Sequence, residues 1–316
     1  MHAAVVTTFD SAPRYQEFPT PVPAGGDEML VDVLAAGLHP RVRSQADGSH
    51  YTSTDELPLV PGMDGVGRGP DGKLRYFILP DTTMGAMAEQ TVIDIRRSVV
   101  LADTIDPVAV AAAMNPAMSS WVALRQRGQF QAGQDVLVLG ATGNAGRMAV
   151  QIARLFGAGQ IIAAGRAAGR LAALPALGAT ATVLLDGEAD DIAHRLGQSA
   201  ADVDVVIDYL WGEPAAAAMI AVVTNRADRG KPLSWIQIGS VAGPTAPIPP
   251  AASTSTPGPC RSPTSSKHGP RPPTPSSASS SPRSCPSWTW RCHQGPFRNF
   301  MIVLVARRWG GRGVRT

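Results

Sequence analysis

Acidic side chains are missing from the last part of this 316-residue chain. All 25 Asp and Glu lie at or before Asp228, and the 88 residues that follow carry 12 Lys or Arg. The first 228 residues hold 16 basic and 25 acidic groups, a net of −9, so the sequence pI near 9.0 is a property of the tail. Basicity confined to a tail gives the body no nucleic-acid footprint, and no nucleic-acid partner is expected. Cysteine is scarce as well: Cys260, Cys285 and Cys292 are the full set. At this length a small disulfide scaffold is excluded. No apolar run reaches 18 residues, the longest late one being Met301 to Ala306, so no membrane partner is expected. Met1 to Asp10 lacks a basic stretch followed by an apolar one. That opening predicts a cytoplasmic protein.

What is present divides by composition. A hydrophobic fraction of 44% is enough for ordinary cores. Half of the 28 prolines fall between Pro244 and Pro296, interleaved with serines. Residues 248–316 are therefore predicted to be a low-complexity, disordered basic tail, because such a segment cannot bury enough apolar surface to offset its chain entropy. Three origins stay open for it: a genuine basic arm, a linker to a partner, or out-of-frame translation of a GC-rich gene. Residues 1–105 show short apolar runs broken by Gly, Pro and Asp, such as Met29 to Ala36, Tyr76 to Leu79 and Ala88 to Ile95, the pattern of a strand-rich unit. Asp106-Pro107 predicts an N-cap with proline at the first helical position, followed by a second segment over Ser119 to Arg127. From Asp135 the order becomes strand, glycine turn, helix, strand, with strands expected at Val136 to Leu139, Ile161 to Ala164, Ala181 to Leu185, Val203 to Leu210 and Trp235 to Gly239. This alternation predicts an α/β fold with a parallel sheet covered on both faces.

Gly140-Ala-Thr142-Gly143-Asn144-Ala145-Gly146 lies between a strand and a helix. A dinucleotide pyrophosphate needs a tight turn, close backbone approach and the N–H groups of a helix N-terminus, and this loop offers all three. The next strand ends in Gly165-Arg166 in place of the acidic residue that holds an NAD ribose, and Arg170 follows one turn later. Arginine can pair with a 2′-phosphate, so NADPH is the expected cofactor. The alternative is that both arginines merely solvate a helix start. The Tyr-x-x-x-Lys pair of a short-chain reductase is absent: Pro19, Asp55, Pro80 and Glu213 stand four residues after Tyr15, Tyr51, Tyr76 and Tyr209.

Five segments in order, Leu59-Val-Pro-Gly-Met-Asp-Gly-Val-Gly67, Gly85-Ala-Met-Ala-Glu-Gln-Thr-Val92, Asn115-Pro-Ala-Met-Ser-Ser-Trp-Val-Ala-Leu124, Val136 to Gly146 and Trp235-Ile-Gln-Ile-Gly-Ser240, resemble the medium-chain dehydrogenase/reductase superfamily, and within it the zinc-free quinone oxidoreductase branch. The resemblance spans residues 1–247. It implies a chaperonin-10-like irregular β-barrel, the substrate domain, over 1–115, and a Rossmann-like doubly wound sheet, the NADPH domain, over 116–247, with the active site between them. It implies a homodimer, which the aberrant tail puts in question. Zinc members carry a Cys near the position of His39 and a His-Glu pair where Met63-Asp64 stand here; with no Cys before Cys260, no metal is expected. His39 and His50 are read as cleft or surface histidines.

Without a Lewis acid, hydride transfer to a quinone or an α,β-unsaturated carbonyl is easier than alcohol oxidation. The resemblance places Tyr51 and Asn115 as catalytic candidates by the substrate and nicotinamide. It adds Tyr209, Gly239 and Ser240, with Asp208, to the cofactor set of Gly140, Thr142, Gly143, Asn144, Ala145, Gly146, Gly165, Arg166 and Arg170. Two other readings stay open, a non-catalytic NADP(H)-binding protein and an inactive product with a frameshifted C-terminus.

Overall fold

The computed structural model describes residues 1–50, 53, 55–249 and 303–304. The amino-terminal part is a curled antiparallel sheet. Its strands are β1 (His2–Val5), β2 (Arg14–Glu17), β3 (Glu28–Gly37), β4 (Asp64–Arg68), β5 (Leu74–Ile78), β6 (Gln90–Asp94) and β7 (Ser98–Val100), with helix α1 (Pro40–Ala46) after β3. Ten-residue β3 is the centre: it pairs with β4 on one side and β6 on the other, and a register shift between Val33 and Ala35 lets it bend. Val31, Val33, Phe77, Leu79 and Ile93 fill the inside of the curl.

Helix α2 (Pro107–Val122) crosses to the second part. Asp106 caps it, its carboxylate accepting from Val108 N at 2.9 Å, with Pro107 in the first turn. The expected second segment over Ser119 to Arg127 is not separate: Pro116 is internal, and the helix runs on into a π-helical turn at Ala123–Arg127. Proline supplies no N–H to the carbonyl four residues earlier. Here Asn144 Nδ2 donates to that carbonyl, Ala112 O, at 3.4 Å. The expected division at 115/116 thus falls inside one continuous helix, which packs on β3, on β4 and on α3 (Asn144–Leu155).

The second part is a five-stranded parallel sheet of β8 (Val136–Leu139), β9 (Ile161–Gly165), β10 (Ala181–Leu184), β11 (Val205–Asp208) and β12 (Ser234–Gln237), in the order β10-β9-β8-β11-β12. Val136 and Val138 face the cluster that includes Ala149, Val150 and Ala153 of α3. Two short helices, α4 (Ala168–Leu171) and α5 (Leu174–Leu177), follow β9, and Leu137 and Leu139 face the opposite cluster, shared with α6 (Ala189–Ala200) and α7 (Gly212–Asn225). With both faces covered, a strand must be apolar at every position, which is why Val-Leu-Val-Leu does not alternate with polar residues. Strands β11 and β12 are shorter than expected. Beyond them Ile238 and Gly239 donate backbone N–H groups to Asp208 O, at 2.7 and 3.1 Å.

Most of the tail lies outside the described residues. Val303–Leu304, inside the apolar run Met301 to Ala306, form a short strand β13 antiparallel to β3 at Gly37 and Ala36.

Candidate active site

In the order β10-β9-β8-β11-β12 the connections reverse direction between β8 and β11, and ligands of open parallel sheets bind outside the carboxyl ends of the strands at such a point. The glycine loop leaves β8 there. Gly140 has φ +83, and both its N–H and that of Ala141 bond to Ala164 O, at 3.0 and 2.9 Å, closing the turn against β9. A Cβ on Gly146 would collide with Gly140's carbonyl oxygen, and one on Gly165 would sit 2.6 Å from Thr142 Cγ2. A Cβ on Gly143 would meet only Gly140 O, at 3.5 Å, so the backbone at this position is open to a ligand.

Gly143 is the N-cap of α3 and no side chain caps the helix. The first intrahelical bond runs from Arg147 N to Gly143 O, so the N–H groups of Asn144, Ala145 and Gly146 lack helical acceptors. The first turn has no acidic residue. This set of donors fits a pyrophosphate. Arg166 and Arg170 are exposed just past β9, and neither forms an ion pair among the described residues, which suits a 2′-phosphate.

Two expected cofactor contacts prove to be structural supports. Asp208 is fully buried. Its Oδ1 accepts from Leu210 N and Trp211 N, at 2.8 and 3.0 Å, and its Oδ2 from Trp235 Nε1 at 3.1 Å. Burial pushes its carboxyl pKa up, against the pull of these three donors. Tyr209 turns into the core, where its hydroxyl meets Ser119 Oγ at 3.0 Å and burial raises the phenol to about 12. Only its Cβ, 3.3 Å from a Cβ placed on Gly140, approaches the loop. Trp211 is held at φ 54, ψ −167, a region close to glycine-only, so strain is concentrated beside the switch point. Gly239 and half-buried Ser240 follow β12 on the same edge.

Asn115 lies one turn of α2 beyond Ala112, the carbonyl held by Asn144, and one turn before Ser119, which meets Tyr209. These two contacts bracket the switch point and put Asn115 beside it. Its Nδ2 is 3.2 Å from His39 Nε2, while Oδ1 is buried with no hydrogen-bond partner among the described residues. A buried amide atom left without a partner fits a polar ligand group. Tyr51 lies outside the described residues.

Of the two expectations for His39, cleft or surface, burial removes the surface one. His39 is 2% exposed, and its Nε2 is 3.1 Å from Oδ1 of fully buried Asp64. Tyr76 OH donates to Asp64 Oδ2 at 2.9 Å. Burial first, then the charge of Asp64, pushes the Tyr76 phenol up. Gly37 makes room for this carboxylate, since a Cβ there would stand 2.5 Å from Asp64 Oδ1. The positions corresponding to a zinc ligand and its neighbour thus meet each other, and among the described residues no three His, Cys, Asp or Glu are grouped to hold a metal. His50 lines a separate small pocket with Arg41, Gln45 and Asp81.

No family model matches the chain. It is 33% identical over 275 residues to the Emericella nidulans protein named "Probable NADPH-dependent quinone reductase tdiC", covering 77% of this chain and 76% of the relative. The chain belongs to the quinone reductase branch of the medium-chain dehydrogenase/reductase superfamily. The crystal structure of a quinone oxidoreductase from Thermus thermophilus, described also in complex with NADPH, superposes with a TM-score of 0.66 at 26% identity, over 79% of this chain and 76% of the other. A 2-methylene-furan-3-one reductase of Solanum lycopersicum is 26% identical over 68% of this chain and 63% of its own length. As in that superfamily, a chaperonin-10-like barrel, here the curled sheet, accompanies the Rossmann-like sheet.

Proposed function

We propose that this medium-chain reductase is an NADPH-dependent oxidoreductase that passes a hydride to a quinone or an α,β-unsaturated carbonyl, without a catalytic zinc. The observation that carries the proposal is the uncapped start of α3 beneath the glycine loop, with Arg166 and Arg170 beyond the adjacent strand. The names of the curated relatives, a quinone reductase and a furanone reductase, support the acceptor class.

NADPH, when bound, supplies the hydride and leaves as NADP⁺; the acceptor takes one further proton from water. The chain's task is to bind and orient. Asn144, Ala145 and Gly146 offer backbone N–H groups to the pyrophosphate. Arg166, with Arg170 one turn beyond it, would hold the 2′-phosphate. Asn115, buried on α2 beside His39, would orient the acceptor. Holding two reactants in attack geometry supplies much of the acceleration when the cofactor carries the chemistry.

The test is NADPH consumption by the full chain with 1,4-benzoquinone and with 2-cyclohexenone, before and after exhaustive chelation. Turnover with at least one acceptor, unchanged by chelation, is expected. NADPH binding without oxidation of either acceptor would contradict the catalytic reading, and loss of rate on chelation would contradict the zinc-free one.

A further inference from the structure

We infer that Asn115 works with its amide turned so that Nδ2 faces the acceptor and donates to its carbonyl oxygen, and that His39, Asp64 and Tyr76 are positioning residues that fix this orientation. The inference rests on the hydride-transfer reading above and assigns roles to three residues outside the candidate set.

The hydrogens along a buried chain of polar groups fix the orientation. Tyr76 has one hydroxyl hydrogen and gives it to Asp64 Oδ2. As a carboxylate, Asp64 only accepts, so its Oδ1 needs a donor, and the group at 3.1 Å is His39 Nε2. That nitrogen therefore carries a hydrogen and has no lone pair to offer. Asn115 Nδ2, 3.2 Å away, would then oppose one N–H group with another. A half-turn of the amide exchanges its nitrogen and oxygen without moving the rest of the side chain. Oδ1 then shares the His39 hydrogen, and Nδ2 takes the buried place that has no partner among the described residues.

That place is bracketed by Asn144 on Ala112 O and by Ser119 on Tyr209, the residues that follow β8 and β11. When a hydride bonds to the β-carbon of the conjugated acceptor, the C=C π pair shifts to the bond between the α-carbon and the carbonyl carbon, and the C=O π pair moves onto oxygen. The oxygen gains negative charge until a proton from water completes the reduction, so the acceptor gains a hydride and a proton while the cofactor is oxidised. An amide N–H aimed at that oxygen stabilises the developing charge; an amide oxygen there would repel it.

The experiment has two arms on the full chain. In the first, ring-¹⁵N-labelled histidine is observed by NMR without cofactor or acceptor, with His39 assigned by comparison with His39→Gln. The expected result is a hydrogen on Nε2; a bare Nε2 overturns the inference whatever the activity. In the second, Asn115→Ala is expected to lower kcat on the order of 100-fold, the typical loss for a missing oxyanion donor. Asp64→Asn is expected to lower kcat about tenfold, the equivalent of roughly one net hydrogen bond. In both variants KM for NADPH and the NADPH-induced melting shift stay at the wild-type values. Unchanged kcat in Asn115→Ala, or a loss confined to KM for NADPH, overturns the role of the amide. A wild-type chain that binds NADPH but turns over no acceptor removes the hydride-transfer reading itself, and the ring spectrum distinguishes that failure from a wrong orientation.

Discussion

Arg166 stands one residue past β9, exposed and without an ion pair among the described residues, where an NAD-preferring site would carry an acidic group. A charge-assisted pair with a 2′-phosphate is worth about 1.5 kcal/mol or more. Arg166→Ala is therefore expected to weaken NADPH binding about tenfold and leave NADH unchanged, as measured by titration calorimetry. Equal losses for both nucleotides would assign the arginine to solvation of a helix start. Gly146 makes the opposite kind of contribution, by having no side chain. Its Cβ would meet Gly140's carbonyl oxygen, which cannot retreat because Gly140 N and Ala141 N both anchor the turn to Ala164 O. Gly146→Ala is expected to destabilise the chain by about 1–3 kcal/mol in denaturant unfolding and to abolish the NADPH-dependent shift.

At the scale of elements, α2 joins the two sheets, and one hydrogen bond explains how it tolerates Pro116. Asn144→Ala leaves Ala112 O without its donor and is expected to cost about 1 kcal/mol. Pro116→Ala restores a backbone N–H to that carbonyl, so in its presence the Asn144 substitution should cost much less. A double-mutant cycle in urea reads this coupling, and strict additivity would contradict it. The same helix shows what sequence reasoning could reach. Asp106-Pro107 announced its start because capping is local. Its continuation past Pro116 was hidden because the compensating donor lies 32 residues from the carbonyl it serves, Ala112 O. The parallel strands were legible from their unbroken apolar runs and the glycine loop from its spacing. The His39–Asp64–Tyr76–Asn115 chain was not, since its links span 25, 12 and 76 residues and follow no period. One signal was present: Asp64 heads the run Asp-Gly-Val-Gly between buried Met63 and buried Val66, and a charge in such a strand demands a partner.

For the whole molecule, the Rossmann-like sheet is the frame that holds the loop, and its two faces are filled independently. Leu137 is fully buried on the face toward α6 and α7, so Leu137→Ala is expected to cost about 2–5 kcal/mol in denaturant unfolding. The amino-terminal part contributes His39, at the start of α1, with Asp64 of β4 and Tyr76 of β5, so the proposed acceptor site exists only when both parts are folded around α2. The central claim is that the loop, the uncapped α3 and Arg166 form a working NADPH site. The most direct measurement is a thermal melt of the full chain with no nucleotide, with NADH and with NADPH, since a ligand that binds only the folded state raises the midpoint. The account requires one cooperative transition moved upward by NADPH and much less by NADH. A transition moved by neither nucleotide, or by NADH more than NADPH, would contradict it.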